Sequence, residues 1–132
     1  MRHSRVVAAV IRRGDRYLCM RRCRSKYSYI SEKWEFPGGK TEAGETDEAA
    51  VVREIAEEMD WNVGVVCHLG TVCHAYPDFT VTLAAYLCDC GEEDDFRLLE
   101  HLEYEWLTKD KLNLLDWTEA DRVLIADIMD RL

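Results

Sequence analysis

Between Gly44 and Trp61 the chain reads GETDEAAVVREIAEEMDW, and this segment restricts the possible folds more than any other. Ala49, Val52, Ala56 and Met59 recur at spacings of three and four, which predicts an amphipathic helix with that stripe packed inward. Thr46 is the expected N-cap, Asp47 and Glu48 favour the positive end of the helix dipole, and Met59-Asp60-Trp61-Asn62 is expected to end the helix. Glu54, Glu57 and Glu58 fall at i, i+3 and i+4, so their side chains emerge together at the flank of the apolar stripe. Like charges so spaced cost an isolated helix about 0.2–0.5 kcal/mol per pair. A solvated acidic face is one explanation. A bound cation is the other, and the preceding loop supports it. Pro37-Gly38-Gly39 breaks regular structure and leaves backbone groups open to close approach by a ligand. Carboxylate and carbonyl oxygens together suit Mg²⁺ or Mn²⁺, ions that offset the repulsion and attract phosphate.

The rest of the chain alternates strand and helix signals. Val6–Arg12 and Arg16–Arg21 read as strands joined at Gly14-Asp15, and residues 23–34 as an irregular loop. Residues 37–44 continue as loop to the helix. Val63–Ala75 and Thr80–Cys88 are β-rich runs joined at Tyr76-Pro77-Asp78-Phe79, a second hairpin. Residues 91–95 are expected to be an acidic surface loop, and Tyr104–Leu107 a short strand. Thr118-Glu119-Ala120-Asp121 resembles a capping box with Asp in the Glu role, and Leu124, Ile125, Ile128, Met129 and Leu132 give a C-terminal helix its apolar face. The expected fold class is α/β: one domain over residues 1–132, a mixed β-sheet sandwiched between α-helices.

With 132 residues the chain is long enough to bury a proper core. A formal charge of −9 disfavours nucleic-acid polymers and anionic membranes as partners, although metal ions can still bring an anionic nucleotide to an acidic surface. The longest early apolar run, Val6 to Ile11, is too short for a leader or a membrane span, so a cytoplasmic protein is expected, as monomer or homodimer. Six cysteines form no Cys-x-x-Cys pair. Cys67-His68 and Cys73-His74 suggest zinc, but their apolar, β-branched surroundings favour reduced thiols serving as small hydrophobes.

Gly39, Glu45 and then Arg53-Glu54-Ile55-x-Glu57-Glu58 resemble the Nudix box, G-x5-E-x7-R-E-U-x-E-E-x-G-U, with U bulky and aliphatic; seven of nine defined positions match. Trp61 fits the last bulky position loosely, and Asp60 replaces the glycine that serves a left-handed helix end. The resemblance extends over nearly the whole chain, and Trp34-Glu35-Phe36-Pro37-Gly38-Gly39-Lys40 is similar to the MutT branch, whose members cleave nucleoside triphosphates to the monophosphate and pyrophosphate with Mg²⁺ or Mn²⁺. The resemblance implies a nucleotide substrate. It also implies that the Gly38 carbonyl and the carboxylates of Glu54, Glu57 and Glu58 hold the metal, that Arg53 orients those carboxylates, and that Glu45 braces loop against helix. A further acid is expected six residues before a tryptophan. Glu100 holds that place before Trp106, as metal ligand or general base, with Glu103 its rival; Glu57 and Glu100 both remain open as the base. Water is expected to attack the β-phosphorus.

Four positions match nucleotide contacts of MutT-like enzymes: Arg22, Phe36, Asp78 and Asp121. Asp121 stands where the branch has an asparagine that reads oxidised guanine. An ionised aspartate only accepts hydrogen bonds and so suits cytosine's amino group, whereas a protonated one also donates. Three readings follow: a pyrophosphohydrolase clearing 8-oxo-dGTP-type nucleotides, one acting on CTP or dCTP, and a nucleotide-binding sensor without catalysis. A plain acidic interaction domain is a fourth, which failure to bind Mn²⁺ would favour.

Overall fold

Within the apolar run Val6–Ile11, residues 7–11 are buried on both faces because they lie at the centre of the sheet. In the computed structural model, which describes residues 2–91 and 96–132, the run belongs to β1 (Arg2–Arg13). There follow β2 (Arg16–Arg22), β3 (Trp34–Glu35), β4 (Gly38–Lys40), α1 (Asp47–Met59), β5 (Gly64–Ala75) and β6 (Phe79–Asp89). The chain continues with β7 (His101–Thr108), a 3₁₀ turn over Lys109–Leu114, α2 (Glu119–Ile128) and a last 3₁₀ turn at Met129–Arg131. The strand order is β3-β2-β1-β6-β5, with β4 also pairing β1 and β7 pairing β2. The β1–β6 pairing is parallel, with Val7 opposite Ala84, and the others are antiparallel. This is the expected mixed sheet. No helix among the described residues is long and apolar enough to cross a membrane.

Alternation along β1 divides the core in two. Val7, Ala9 and Ile11 meet α1 through Val51, Ile55 and Met59, whereas Ala8 and Val10 share the opposite core with Leu124, Ile125 and Ile128 of α2. The helices therefore cover opposite faces.

Several expectations need correcting. The inward stripe of α1 is Ala50, Val51, Ile55 and Met59; Ala49, Val52 and Ala56 are exposed. Both sets have helical spacing and each holds one valine and Met59, but the observed set buries Ile55 where the expected one had a second alanine, and so removes more apolar surface from water. Residues 38–40 are not loop: β4 pairs Gly38 with Ala8 and Gly39 with Val7. The strand at Tyr104–Leu107 is longer, running His101–Thr108 along β2. Cys67 and Cys73 are exposed on the edge strand β5, and the buried thiols are Cys19 and Cys88. The acidic loop beyond Gly91 lies outside the described residues. At Asp60 the expected left-handed ending is present, with φ 49° and ψ 47°, and its N–H donates to the Ala56 carbonyl.

Candidate active site

The rotated phase of α1 sorts its glutamates. Glu54 and Glu58, one turn apart and next to the buried Val51–Ile55–Met59 face, are half-buried, while the Glu57 side chain is 60% exposed. Arg53 organises the cluster. Its Nε and Nη2 donate to the two carboxylate oxygens of Glu45 at 2.6 and 2.9 Å, its Nη1 donates to Glu54 at 3.0 Å and Glu57 at 3.1 Å, and its Nη2 also reaches the Lys40 carbonyl at 3.0 Å. Glu45 in turn accepts from the Glu42 N–H. Hydrogen bonds from Arg53 hold Glu45 below the usual carboxylate range. Glu45 thus braces loop against helix, as its position in the box implied.

Gly39 of β4 lets α1 come this close, and Gly38 lets β4 lie tight against β1. A Cβ at Gly39 would run into the Glu54 carboxylate, and one at Gly38 into the Val7 carbonyl. Gly38→Ala is therefore expected to destabilise the fold by about 3 kcal/mol or more, because backbone must move. Gly39→Ala is expected to displace chiefly the Glu54 carboxylate and lose activity with little change in urea midpoint. Equal midpoints for the two variants would count against this account.

Glu58 lines two adjoining cavities. The first, about 430 Å³, is walled by Arg22, Tyr27, Phe36, Gly38, Tyr76, Phe79 and Asp121 among others; the second, about 540 Å³, by Arg22, Arg24, Glu100 and His101. Arg22, Ser25, Glu35 and Glu58 belong to both. Glu58 Oε2 is buried without a hydrogen-bond partner. Burial first, and then the charges of Glu35, Glu54 and Glu100, push its carboxyl up to about 9. Among the described residues no three acidic, histidine or cysteine side chains already form a cage for an ion. The donor set nonetheless suits a hard divalent cation. It offers an orphaned oxygen at Glu58, further carboxylates at Glu54 and Glu100, the Gly38 backbone in the cavity wall, and repulsion that a cation would relieve.

Asp121 is positioned from a distance. Trp34 N–H donates to the Asp116 carbonyl and Thr118 N–H to the Trp34 carbonyl, which docks the start of α2 on β3. Asp121 Oδ2 then accepts from Phe36 N–H at 2.9 Å, and Oδ1 from the Thr118 hydroxyl at 2.8 Å. Only half of the capping box forms: Thr118 Oγ1 accepts from Asp121 N–H, but the carboxylate goes to Phe36 N–H and the Thr118 hydroxyl rather than to the Thr118 backbone N–H, which donates to Trp34. Asp121 is 6% exposed. Burial, then the charge of Glu35, raises its carboxyl to about 7 against the hydrogen bonds it accepts. Phe36 packs against Trp117 with ring centroids 4.9 Å apart.

The structure brings together Arg22, Phe36, Gly38, Glu58 and Asp121 around the first cavity, and Arg22, Glu58 and Glu100 around the second. Glu103, the rival of Glu100, is ion-paired to Arg21 at 2.9 Å and lines neither. Glu57 and Asp78 also line neither; Asp78 sits exposed in the β5–β6 turn and accepts from the Tyr29 hydroxyl at 2.6 Å. Sequence reasoning missed Glu35 and His101. Glu35 accepts from Arg22 Nη1 at 2.8 Å and from His101 Nε2 at 2.9 Å. Its only signal was an acid between two aromatic residues in a strand, where alternation puts it opposite both. His101 offered none.

A family model described as "NUDIX domain" matches residues 1–128. The 8-oxo-dGTP diphosphatase of Escherichia coli (strain K12) is 30% identical over 128 residues, covering 97% of this chain and 98% of its own. The CTP pyrophosphohydrolase of the same organism is 37% identical over 98 residues, 65% of this chain and 71% of its own. Among solved structures, the MutT protein of methicillin-resistant Staphylococcus aureus 252, described as a Nudix hydrolase, superposes with a TM-score of 0.75 at 36% identity, covering all of both chains. A glutamate-bearing helix clamped by one arginine, a glycine beneath its Glu54, and a family match over almost the full length lead to one conclusion: the chain belongs to the Nudix family of hydrolases.

Proposed function

We propose that the protein is a divalent-metal-dependent pyrophosphohydrolase that cleaves nucleoside triphosphates of the 8-oxo-dGTP type to the monophosphate and pyrophosphate. The observation that carries this reading is the pair of adjoining cavities: one aromatic, ending at Asp121, the other carboxylate-lined, with Glu58 and Arg22 in both. A volume of about 430 Å³ suits a ligand of nucleotide size. Glu54, Glu57, Glu58, Glu100 and the Gly38 carbonyl would hold Mg²⁺, or Mn²⁺ in its place. Bound there, the ion would neutralise phosphoryl charge and acidify a water.

The chain's own residues supply the rest. Phe36 and Asp121 take the base, and Arg22 contacts the nucleotide at the boundary of the two cavities. Glu100 accepts the water's proton; it lines the second cavity with Glu58, whereas Glu57 stands toward solvent beside Arg53. Attack at the β-phosphorus breaks its bond to the bridging oxygen of the α-phosphate, so the water's oxygen leaves in pyrophosphate. The CTP reading has its own support in an Asp121 carboxyl near its titration point, which can accept from cytosine's amino group when ionised.

The deciding experiment compares kcat/KM for 8-oxo-dGTP, dGTP, CTP, dCTP and 5-substituted dCTP with Mg²⁺ in ¹⁸O-water. The expected result is highest efficiency with 8-oxo-dGTP and label in pyrophosphate alone. Preference for a cytidine nucleotide favours the second reading, and no pyrophosphate from any of them points to a sensor. Glu57→Gln is expected to fold normally, since an exposed ion pair is worth about 0–1 kcal/mol, yet to lose most turnover. Near-normal hydrolysis by that variant removes Glu57 from the metal set.

A further inference from the structure

Glu35 lies in the wall common to both cavities, and its two carboxylate oxygens have different partners: Arg22 on Oε1, His101 on Oε2. A bulge produces this arrangement. The β2–β7 register shifts between Arg21 and Arg22, so Arg21 faces Glu103 but Arg22 faces His101, with Glu35 on the neighbouring strand. The His101 side chain is 5% exposed, and its Nδ1 is buried without a partner. Burying an imidazole with one nitrogen unsatisfied costs stability, so packing alone does not account for it. The bond to Glu35 does. Burial alone would raise Glu35, yet the hydrogen bond from His101 and the charge of Arg22 keep it low, a carboxylate, so Nε2 is the donor.

A guanidinium beside a carboxylate tends to close into a two-pronged pair. His101 occupies the oxygen that Arg22 would need for its second prong. Arg22 accordingly bonds Glu35 through Nη1, and its Nε is left buried without a partner. We propose that His101 is a positioning residue: by capping Glu35 Oε2 it holds Arg22 to a single-pronged pair through Nη1 and keeps Nη2, rather than the buried Nε, for the nucleotide. The proposal rests on the reading of Arg22 as a nucleotide contact given above.

The test uses His101→Leu, which removes the donor, and His101→Gln, whose amide nitrogen falls where Nε2 stands. KM and kcat are measured with the best triphosphate of the panel, and the Arg22 Nε–H signal, identified by its loss in Arg22→Lys, is followed by NMR in the nucleotide-free protein. His101→Leu is expected to raise KM about tenfold with kcat nearly unchanged and to shift the Arg22 signal, the loss of one charge-assisted hydrogen bond. His101→Gln is expected to restore both. If the leucine variant does not fold, His101→Asn replaces it, since its shorter amide cannot reach Glu35 Oε2. An unmoved Arg22 signal, or a folded glutamine variant as impaired as the leucine one, overturns the proposal. A moved signal with KM unaffected in Arg22→Lys keeps His101's hold on Arg22 and overturns the nucleotide contact instead.

Discussion

Replacing Glu58 by glutamine is expected to lower kcat/KM by about 10²–10³-fold while making the metal-free protein more stable, not less. The two effects have one origin. Glu58 is the helix carboxylate that reaches both cavities, and its Oε2 is buried without a partner among Glu35, Glu54 and Glu100. At pH 7.5 the unfolded chain ionises it, whereas the folded chain holds it neutral up to about 9. The folded state therefore carries a cost at that pH which an amide of the same shape does not. Glutamine, however, cannot supply an anionic oxygen to a cation. Thermal midpoints with and without Mn²⁺ separate the contributions: the wild type is expected to gain from the ion, as any ligand binding only the folded state requires, and the variant to gain much less. A variant that turns over normally, or gains as much from Mn²⁺ as the wild type, would remove Glu58 from the metal set; a metal-free midpoint lower by several degrees would remove the burial cost.

What was legible in the sequence, and what was not, follows the range of the interactions. The box spacing located α1, its arginine clamp and its bracing glutamate, because all of these act within one helix and the loop before it. The rotation of α1 was not legible, since two apolar stripes share helical spacing, each with one valine, and only the sheet below distinguishes Ala50, Val51 and Ile55 from Ala49, Val52 and Ala56. Gly38 and Gly39 read as freedom for a loop. They are instead the thinnest available strand: Gly39 leaves room for Glu54 over β4, and Gly38 for the Val7 carbonyl of β1. Glu35 and His101 lie 66 residues apart and meet through a ladder whose bulge no local pattern announces. Glu100 is proposed from its distance to Trp106; in the structure it lines the second cavity, whereas Glu103 is ion-paired to Arg21, a difference of neighbours that spacing does not carry.

Asp121→Asn is expected to raise stability above pH 8 and to remove a pH step from nucleotide binding. In the folded chain burial lifts this carboxyl to about 7 from an ordinary 3.8. Below pH 4 both folded and unfolded chains hold the proton, and the residue costs nothing. Between about 4 and 7 the unfolded chain ionises and the folded chain does not, so stability falls as pH rises; above 7 the loss is complete and constant. Its full size is at most about 4 kcal/mol, at 1.36 kcal/mol per pH unit between the two values. Asparagine avoids that loss and can still accept from Phe36 N–H and turn its amide toward Thr118. The difference in unfolding free energy between variant and wild type should therefore grow from pH 5 to pH 8 and then level off. Over the same range the wild-type kcat/KM should change as Asp121 turns from a group that can donate into one that only accepts, and the variant's should not. The direction of the wild-type change identifies the base edge: a rise toward high pH means that the base presents donors, a fall that it presents an acceptor. A profile with the same step near 7 in both proteins would place the titrating group elsewhere and leave Asp121 a helix cap alone.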